Sequence, residues 1–398
     1  MAVFQRGDFL LPHKQWMGKW PVIACDQFTA QPEYWKQTAK LVGQAPSTYH
    51  MIFPEAELGE DEEARIERID RTMTRYLAED VFRLYPQCYI YVERTLKDGT
   101  IRKGVVGLLD LESYDFGDLA KTPVRATEKT VVSRIPPRVK IRSGAAVECS
   151  HVLLLCSDPA DRLLGDVKRG EKLYDLDLIM GGGHITGWLV SGENADRFDS
   201  AIAAYISAKE DGFCFAVGDG NHSLAAAKTC WETIKKQEDA DVLARHPARY
   251  AAVELVNLFD PALQFEPIHR IVRNVDTEAL IAFLEKSSVP GGRAVRWIAG
   301  NKSGSLSYGP SVLPVGGLQK ELDAFLAENG GEIDYIHGEQ VALKLSSEDR
   351  AAAFLLPEID KNDLFRSISQ SGVLPRKTFS IGHAEEKRYY LECRKIIP

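Results

Sequence analysis

The stretch that most constrains this chain is FAVGDGNHSLAAAK, Phe215 to Lys228. An apolar run, FCFAV, meets Gly-Asp-Gly-Asn-His-Ser and passes into an alanine-rich segment. There Leu224, Ala227, Trp231 and Ile234 recur at helical spacing and form one apolar stripe. A buried strand that feeds straight into a helix commits this region to an α/β arrangement. The start of such a helix exposes unpaired N–H groups and the positive end of the helix dipole. Glycines there let the backbone approach an anion closely. A plain turn with a capped helix is the alternative, and it accounts for one polar residue. It does not account for Asp219, Asn221, His222 and Ser223 together. Gly218, Gly220, Asn221 and Ser223 are therefore candidates to hold a phosphate, with Asp219 and His222 as candidates for the chemistry. The stretch carries no Walker-type Lys-Ser/Thr pair and no GxGxxG.

The rest of the sequence alternates the two periodicities, so the expected class is mixed α/β. EDEEARIERIDRTMTRYLAED repeats Ile66, Ile69, Met73 and Tyr76 at helical spacing. QCYIYVERTL and IRKGVVGLLDL flank Lys97-Asp98-Gly99 and predict a hairpin. Further strands are expected at VRATEKTVV, HVLLLCS, HITGWLVSG and on both sides of Asp260-Pro261, and a helix at NADRFDSAIAAYISAKE. With 398 residues, three lobes are expected, over 1–145, 146–275 and 276–398, the middle one carrying the GDGNHS turn.

Four other segments offer chemistry. In RATEKT a strand would place Arg125, Thr127 and Lys129 on one face and Glu128 on the other. Glu128 could act as a base or metal ligand, Lys129 as a phosphate partner. FEPIHRIV offers His269 and Arg270. MGGGHITGW sets three glycines before His184, where a plain turn is the favoured reading. LPRKTFS offers Arg376 and Lys377, with Lys377 a phosphate candidate. His184, His222 and His269 lack metal-ligand spacing, and neither HExxH nor GxSxG occurs. No metal ligands are assigned.

Composition narrows the partners. A formal net charge of -8 argues against a surface devoted to nucleic acid. VVSRIPPRVKIR is the best basic run, and alternation there suits a solvated strand face. Seven cysteines without a CxxC fit a reducing cytosol. Cys25, in PVIACDQF, is the one not readily assigned to core. The first residues lack the continuous apolar segment of a signal peptide, and no run approaches the roughly 18 apolar residues of a membrane span. A cytoplasmic protein without membrane attachment is expected.

FAVGDGNHSLAAA, LVNLFDPALQFEPIHRIV and LPRKTF, in this order, resemble the bacterial family catalogued as domain of unknown function 1015. Its hairpin is matched by YIYVERTLKDGTIRKGVVGLLDLESYD and its Glu-x-Thr element by RATEKT. The family usually has Asp-Gly-His-His-Arg at Asp219 to Ser223, and Pro-Thr-His-Arg at Pro267 to Arg270. It is remotely similar to the ParB/sulfiredoxin superfamily, which includes kinases of free serine. The resemblance implies a ParB/sulfiredoxin-like core with added lobes, in which the turn before the helix holds nucleotide phosphates. Ser223 stands where the family has Arg, so the bidentate phosphate fork is missing and another cation (Lys129, Arg270 or Lys377) has to replace it.

The expected function is a nucleotide-dependent phosphotransferase acting on a small hydroxylated metabolite, using ATP or ADP with Mg²⁺. Asp219, His222, Glu128 and His269 would then share one cleft as the catalytic set. The alternative is a regulatory protein that binds a nucleotide or metabolite without turning it over.

Overall fold

The computed structural model describes residues 2–59, 61–309 and 313–398. The fold is mixed α/β. Its contacts group the chain into two compact units: Met1–Leu263 with His383–Pro398, and Gln264–Gly382. The first unit runs through the position near 145 where a lobe boundary was expected, and it takes back the C-terminal residues.

In the first unit the long amphipathic segment forms helix α1 (Glu62–Ala78), with Ile69, Met73 and Tyr76 buried. The predicted hairpin is β1 (Phe82–Thr95) and β2 (Ile101–Asp110), antiparallel, with Ile90 opposite Val106. Next come β3 (Val124–Ala126), α2 (Ile135–Ser143), β4 (Leu153–Cys156), β5 (Phe215–Asp219), α3 (Asn221–Ile234) and β6 (Tyr250–Asn257). The central sheet runs in the order β3, β5, β4, β6, β2, β1, continuing to Gly7–Pro12 and Cys393–Lys395. β5 lies parallel to β3 and antiparallel to β4, while β4 is parallel to β6. The sheet is thus mixed, and its inner strands read as continuous apolar runs because both faces are covered.

Two local expectations are corrected. RATEKT is a strand only over Val124–Ala126. Arg125 is buried, its guanidinium 4.3 Å from the centroid of the Phe213 ring and its Nε donating to the Thr122 carbonyl at 2.9 Å. The alternating exposed face thus does not form. VVSRIPPRVKIR is a short 3-10 turn and then helix α2, not a strand. Its prolines sit at the helix start, where the missing N–H costs nothing and the fixed φ suits a helix. α2 lies against α3, with Ile135 packed on Ala225 and Ala226. The small alanine side chains permit this close approach.

In the second unit, β7 (Phe265–Arg273) pairs antiparallel with both β8 (Glu332–His337) and β9 (Ala352–Leu355). Val272, Leu284, Trp297, Leu322 and Phe354 share its core with the flanking helices.

Within the first unit a sealed ionic network ties the C-terminal segment to the sheet. Arg388 Nε donates to Glu254 Oε2 at 2.6 Å and Arg388 Nη2 to Glu392 Oε2 at 2.6 Å. All three are buried. Burial alone would raise the Glu254 carboxyl; Arg102 and Arg388 outweigh it and hold it ionised. Replacing Arg388 with Met leaves the buried Glu392 carboxylate without its cation and Glu254 with only Arg102, 3.7 Å away. We expect a loss of about 3–5 kcal/mol in urea unfolding, with a smaller loss when Glu254→Gln is added.

Candidate functional site

The site forms where β5 ends. Gly218 is required there because a Cβ would lie 2.8 Å from the Leu155 side chain of the adjoining strand. Gly220 adopts φ 80°, a left-handed conformation that glycine enters without penalty. This glycine turns the chain from strand to helix, so α3 begins at Asn221. Among the described residues no side chain caps α3, and Leu224 N–H is already committed to the Gly220 carbonyl at 3.0 Å. The N–H groups of the first turn therefore face outward as a ready donor set. The Asn221 Oδ1 atom beside them is buried without a hydrogen-bond partner.

Asp219 does not cap the helix. Its Oδ1 accepts from Gly220 N–H at 2.9 Å and its Oδ2 lies 3.2 Å from Lys387 Nζ. Antiparallel pairing sets Asp219 opposite Leu153, so His151 lies two residues beyond the strand end, near the Asp219 carboxylate. His151 is 4% exposed, and its ring meets Tyr390 edge-on at 5.2 Å. Burial pushes its pKa down, and Arg138 and Arg388 add to this against the pull of Asp26 and Asp219. Asp26 completes the cluster. Burial alone would raise its carboxyl, but His151, a 3.0 Å hydrogen bond from Gln27, Lys387 and Arg138 hold it below its usual value.

His222 accepts from the Val131 N–H at Nε2, 3.1 Å away, which leaves the ring proton on Nδ1. Burial, with Arg138 and Arg134 nearby, pushes its pKa down to about 4. It is thus a neutral ring at pH 7 that orders the loop above the helix start. That loop carries Glu128: Thr127 Oγ1 donates to the Val217 carbonyl at 2.7 Å, and the half-buried Glu128 follows directly. Lys129 projects outward, 3.3 Å from Asp118.

A cavity of about 130 Å³ opens at this end of α3, with Cys25, Arg138, His151 and Ser223 in its walls and Phe53 and Leu224 among its apolar lining. At roughly 30 Å³ per water, this is room for one phosphoryl group or a small metabolite. Arg138 also pairs with Glu55. Cys25 is no nucleophile: the Tyr390 hydroxyl donates to its sulfur at 3.1 Å, and burial pushes the thiol up to about 11. Among the described residues no group of three or more His, Cys, Asp or Glu is arranged to hold a metal ion.

The structure therefore brings Asp219, His222, Gly218, Gly220, Asn221, Ser223 and the Glu128 loop to one end of β5. Asp26, Arg138, His151 and Lys387, which sequence patterns did not single out, converge on the same end. Three expected residues belong to the second unit. His269 is buried, its Nδ1 accepting from Leu356 N–H at 3.1 Å, and burial lowers its pKa. Arg270 is fully buried and donates to Gln319 Oε1 at 2.9 Å and to the Ile268, Lys377 and Arg376 carbonyls. Lys377 is exposed, with a positive φ of 57°. His184, in the first unit, opens the strand His184–Val190 after the turn at Ile179–Gly181 and pairs with Asp175 and Asp177 of the facing strand at 2.7 Å each.

The chain belongs to the family described as Protein of unknown function (DUF1015), whose profile matches residues 10–393. No curated protein matches it. Among solved structures it is similar to a free serine kinase in complex with AMP, 13% identical over 73% of this chain and 90% of that one, TM-score 0.38. It is similar to a mutant free serine kinase in complex with ADP, 12% identical over 76% and 95%, TM-score 0.39. It is also similar to a conserved hypothetical protein from Pyrococcus furiosus, 12% identical over 73% and 94%, TM-score 0.36.

The depressed pKa of His222 fixes a pH dependence. The unfolded ring binds a proton near pH 6.5 and the folded ring only near 4. Its contribution is therefore complete above about pH 6.5 and is lost as pH falls towards 4. The slope approaches about 1 kcal/mol per pH unit. His222→Gln should flatten the wild-type loss of stability between pH 7 and 5, read by urea unfolding at each pH. An unchanged slope would show that folding does not shift the His222 pKa.

Proposed function

We propose that this protein is a nucleotide-dependent phosphotransferase acting on a small hydroxylated metabolite, with its phosphate site at the first turn of α3. The observation that carries this reading is the uncapped start of α3, opening beside a phosphate-sized cavity. Arg138 lines that cavity, and the Asp219–Lys387 pair and the Asp26 carboxylate lie at the end of β5 that leads into α3. His269, Arg270 and Lys377 belong to the second unit and are given no role in this reading.

The chemistry follows from the charges. With His151 and His222 both neutral, positive potential comes from Arg138, Lys387 and the dipole of α3. Backbone N–H groups of Asn221, His222 and Ser223 would hold the transferring phosphoryl group. The metabolite hydroxyl would lose its proton to Asp219 or Asp26 as its oxygen attacks phosphorus. The bond to the bridging oxygen breaks, and the nucleotide leaves with the electron pair. Such a transition state needs little proton abstraction and much positioning, so a weakly basic carboxylate suffices. Arg138 takes over the role the family's Arg would have at Ser223. A Mg²⁺ ion would arrive with the nucleotide and use one or two carboxylates; Asp26 and Asp219 are the candidates.

The rival reading is a nucleotide or metabolite sensor. Ser223 in place of Arg and the pairing of Asp219 with Lys387 favour it. Turnover of nucleotide with a panel of hydroxylated metabolites decides between them. Asp219→Ala and Asp26→Asn should remain folded and lose turnover about 10²–10³-fold. Leu224→Ala should instead cost about 2–5 kcal/mol of stability with little effect on the chemistry of the folded fraction. Nucleotide binding without turnover in the wild type would establish the sensor. Asp219→Ala unfolding as readily as Leu224→Ala would make the turn structural.

A further inference from the structure

A second polar cavity lies elsewhere in the first unit, in no part of the site above. It measures about 340 Å³ and is lined by Gln44, His50, Arg68, Arg71, Thr72 and Arg75. Four of these residues come from α1, at positions 68, 71, 72 and 75, the i, i+3, i+4, i+7 spacing of one helix face. The opposite wall is the turn Thr48–Met51 and the residues before it.

The lining contains no carboxylate. Arg68 and Arg71 have no acidic partner among the described residues, and Arg75 has only a loose one, Glu79 at 3.7 Å. Like charges gathered on one helix face repel, and this occurs in a chain of net charge -8 with acidic residues to spare. The His50 Nε2 atom at the wall is buried without a hydrogen-bond partner. Three guanidiniums, an amide, a hydroxyl and an imidazole thus converge on one space, and guanidiniums pair with phosphate oxygens two at a time. The volume exceeds that of a single phosphate and falls within the range of small-molecule pockets. The three arginines line a cavity, which suits a compact ligand better than a long polyanion.

We propose that this cleft binds a small molecule carrying two or more phosphate groups. It is a site separate from the start of α3, and it does not depend on the phosphotransferase reading. The two sites are neighbours and have no lining residue in common. His50 lines the arginine cleft while Met51 lines the α3 cavity, and Thr72 lines the cleft while Met73 lines the cavity.

The test is calorimetric titration of the full chain with inorganic pyrophosphate. It compares wild type, the Arg68→Ala/Arg71→Ala double variant, and Ser223→Glu, which puts a carboxylate at the start of α3. The arginines are exposed, so circular dichroism should report an unchanged fold. An Arg71→Lys variant, which keeps the charge but not the fork, serves as the second probe. We expect Ser223→Glu to retain one pyrophosphate site. We expect the double variant to weaken that site at least tenfold, and Arg71→Lys to weaken it less. Pyrophosphate affinity unchanged in the double variant would overturn the proposal, as would complete loss of binding in Ser223→Glu. If the double variant binds none while Ser223→Glu matches wild type, the arginine site stands and the phosphate site at α3 falls.

Discussion

The site of this protein depends on how Arg388 is held. Its guanidinium reaches Glu254 on β6, Glu392 four residues on, and the Ser150 carbonyl just before His151. Its own carbonyl accepts from Ala24 N–H at 3.0 Å. One buried cation thus fixes the C-terminal segment against the loop that bears Asp26 and the segment that bears His151. Lys387, its neighbour, meets Asp219, and Tyr390 meets both Cys25 and His151. A buried ion pair of this kind is weak evidence for stability, because desolvation offsets much of the attraction. What it supplies here is position.

The same burial sets the electrostatics. Two histidines stand at the site, and both are pushed towards the neutral form by desolvation and by neighbouring arginines. His222 therefore acts as a hydrogen-bonding ring, its acceptor spent on the Val131 amide, while His151 packs edge-on against Tyr390. Positive charge is left to Arg138, Lys387 and the start of α3. Under the proposed function, that division would suit an anion that is bound and then released, since no single fork grips it.

Much of the fold was legible in the sequence. The strand-turn-helix at Phe215–Ile234, the hairpin around Asp98-Gly99 and helix α1 each carried a strong local signal, and local signal is what sequence reading detects. RATEKT and VVSRIPPRVKIR misled because charge alternation imitates a strand. Pairing with β5 ends the first at Ala126, and Pro136 and Pro137 start a helix in the second. Glu332–His337 and Lys302–Leu306 were missed because both are short and largely polar. Half of the site was legible: the glycines, Asp219, His222 and Ser223 lie in one motif, and a turn that polar between apolar elements is conspicuous. Asp26, His151, Arg138 and Lys387 were not, because they meet only through strand pairing and the return of the C-terminus. Arg270 drew attention beside His269 as a candidate phosphate cation, and its burial is answered within its own unit by Gln319 and backbone carbonyls.

The central claim is that the first turn of α3 binds phosphate, and amide hydrogen exchange tests it most directly. The protein is labelled with and without ADP, and the amides of Asn221, His222 and Ser223 are followed. The account predicts that ADP slows exchange at these three positions, because their outward N–H groups become hydrogen-bonded. ADP that protects other segments while these amides exchange at the same rate would contradict it.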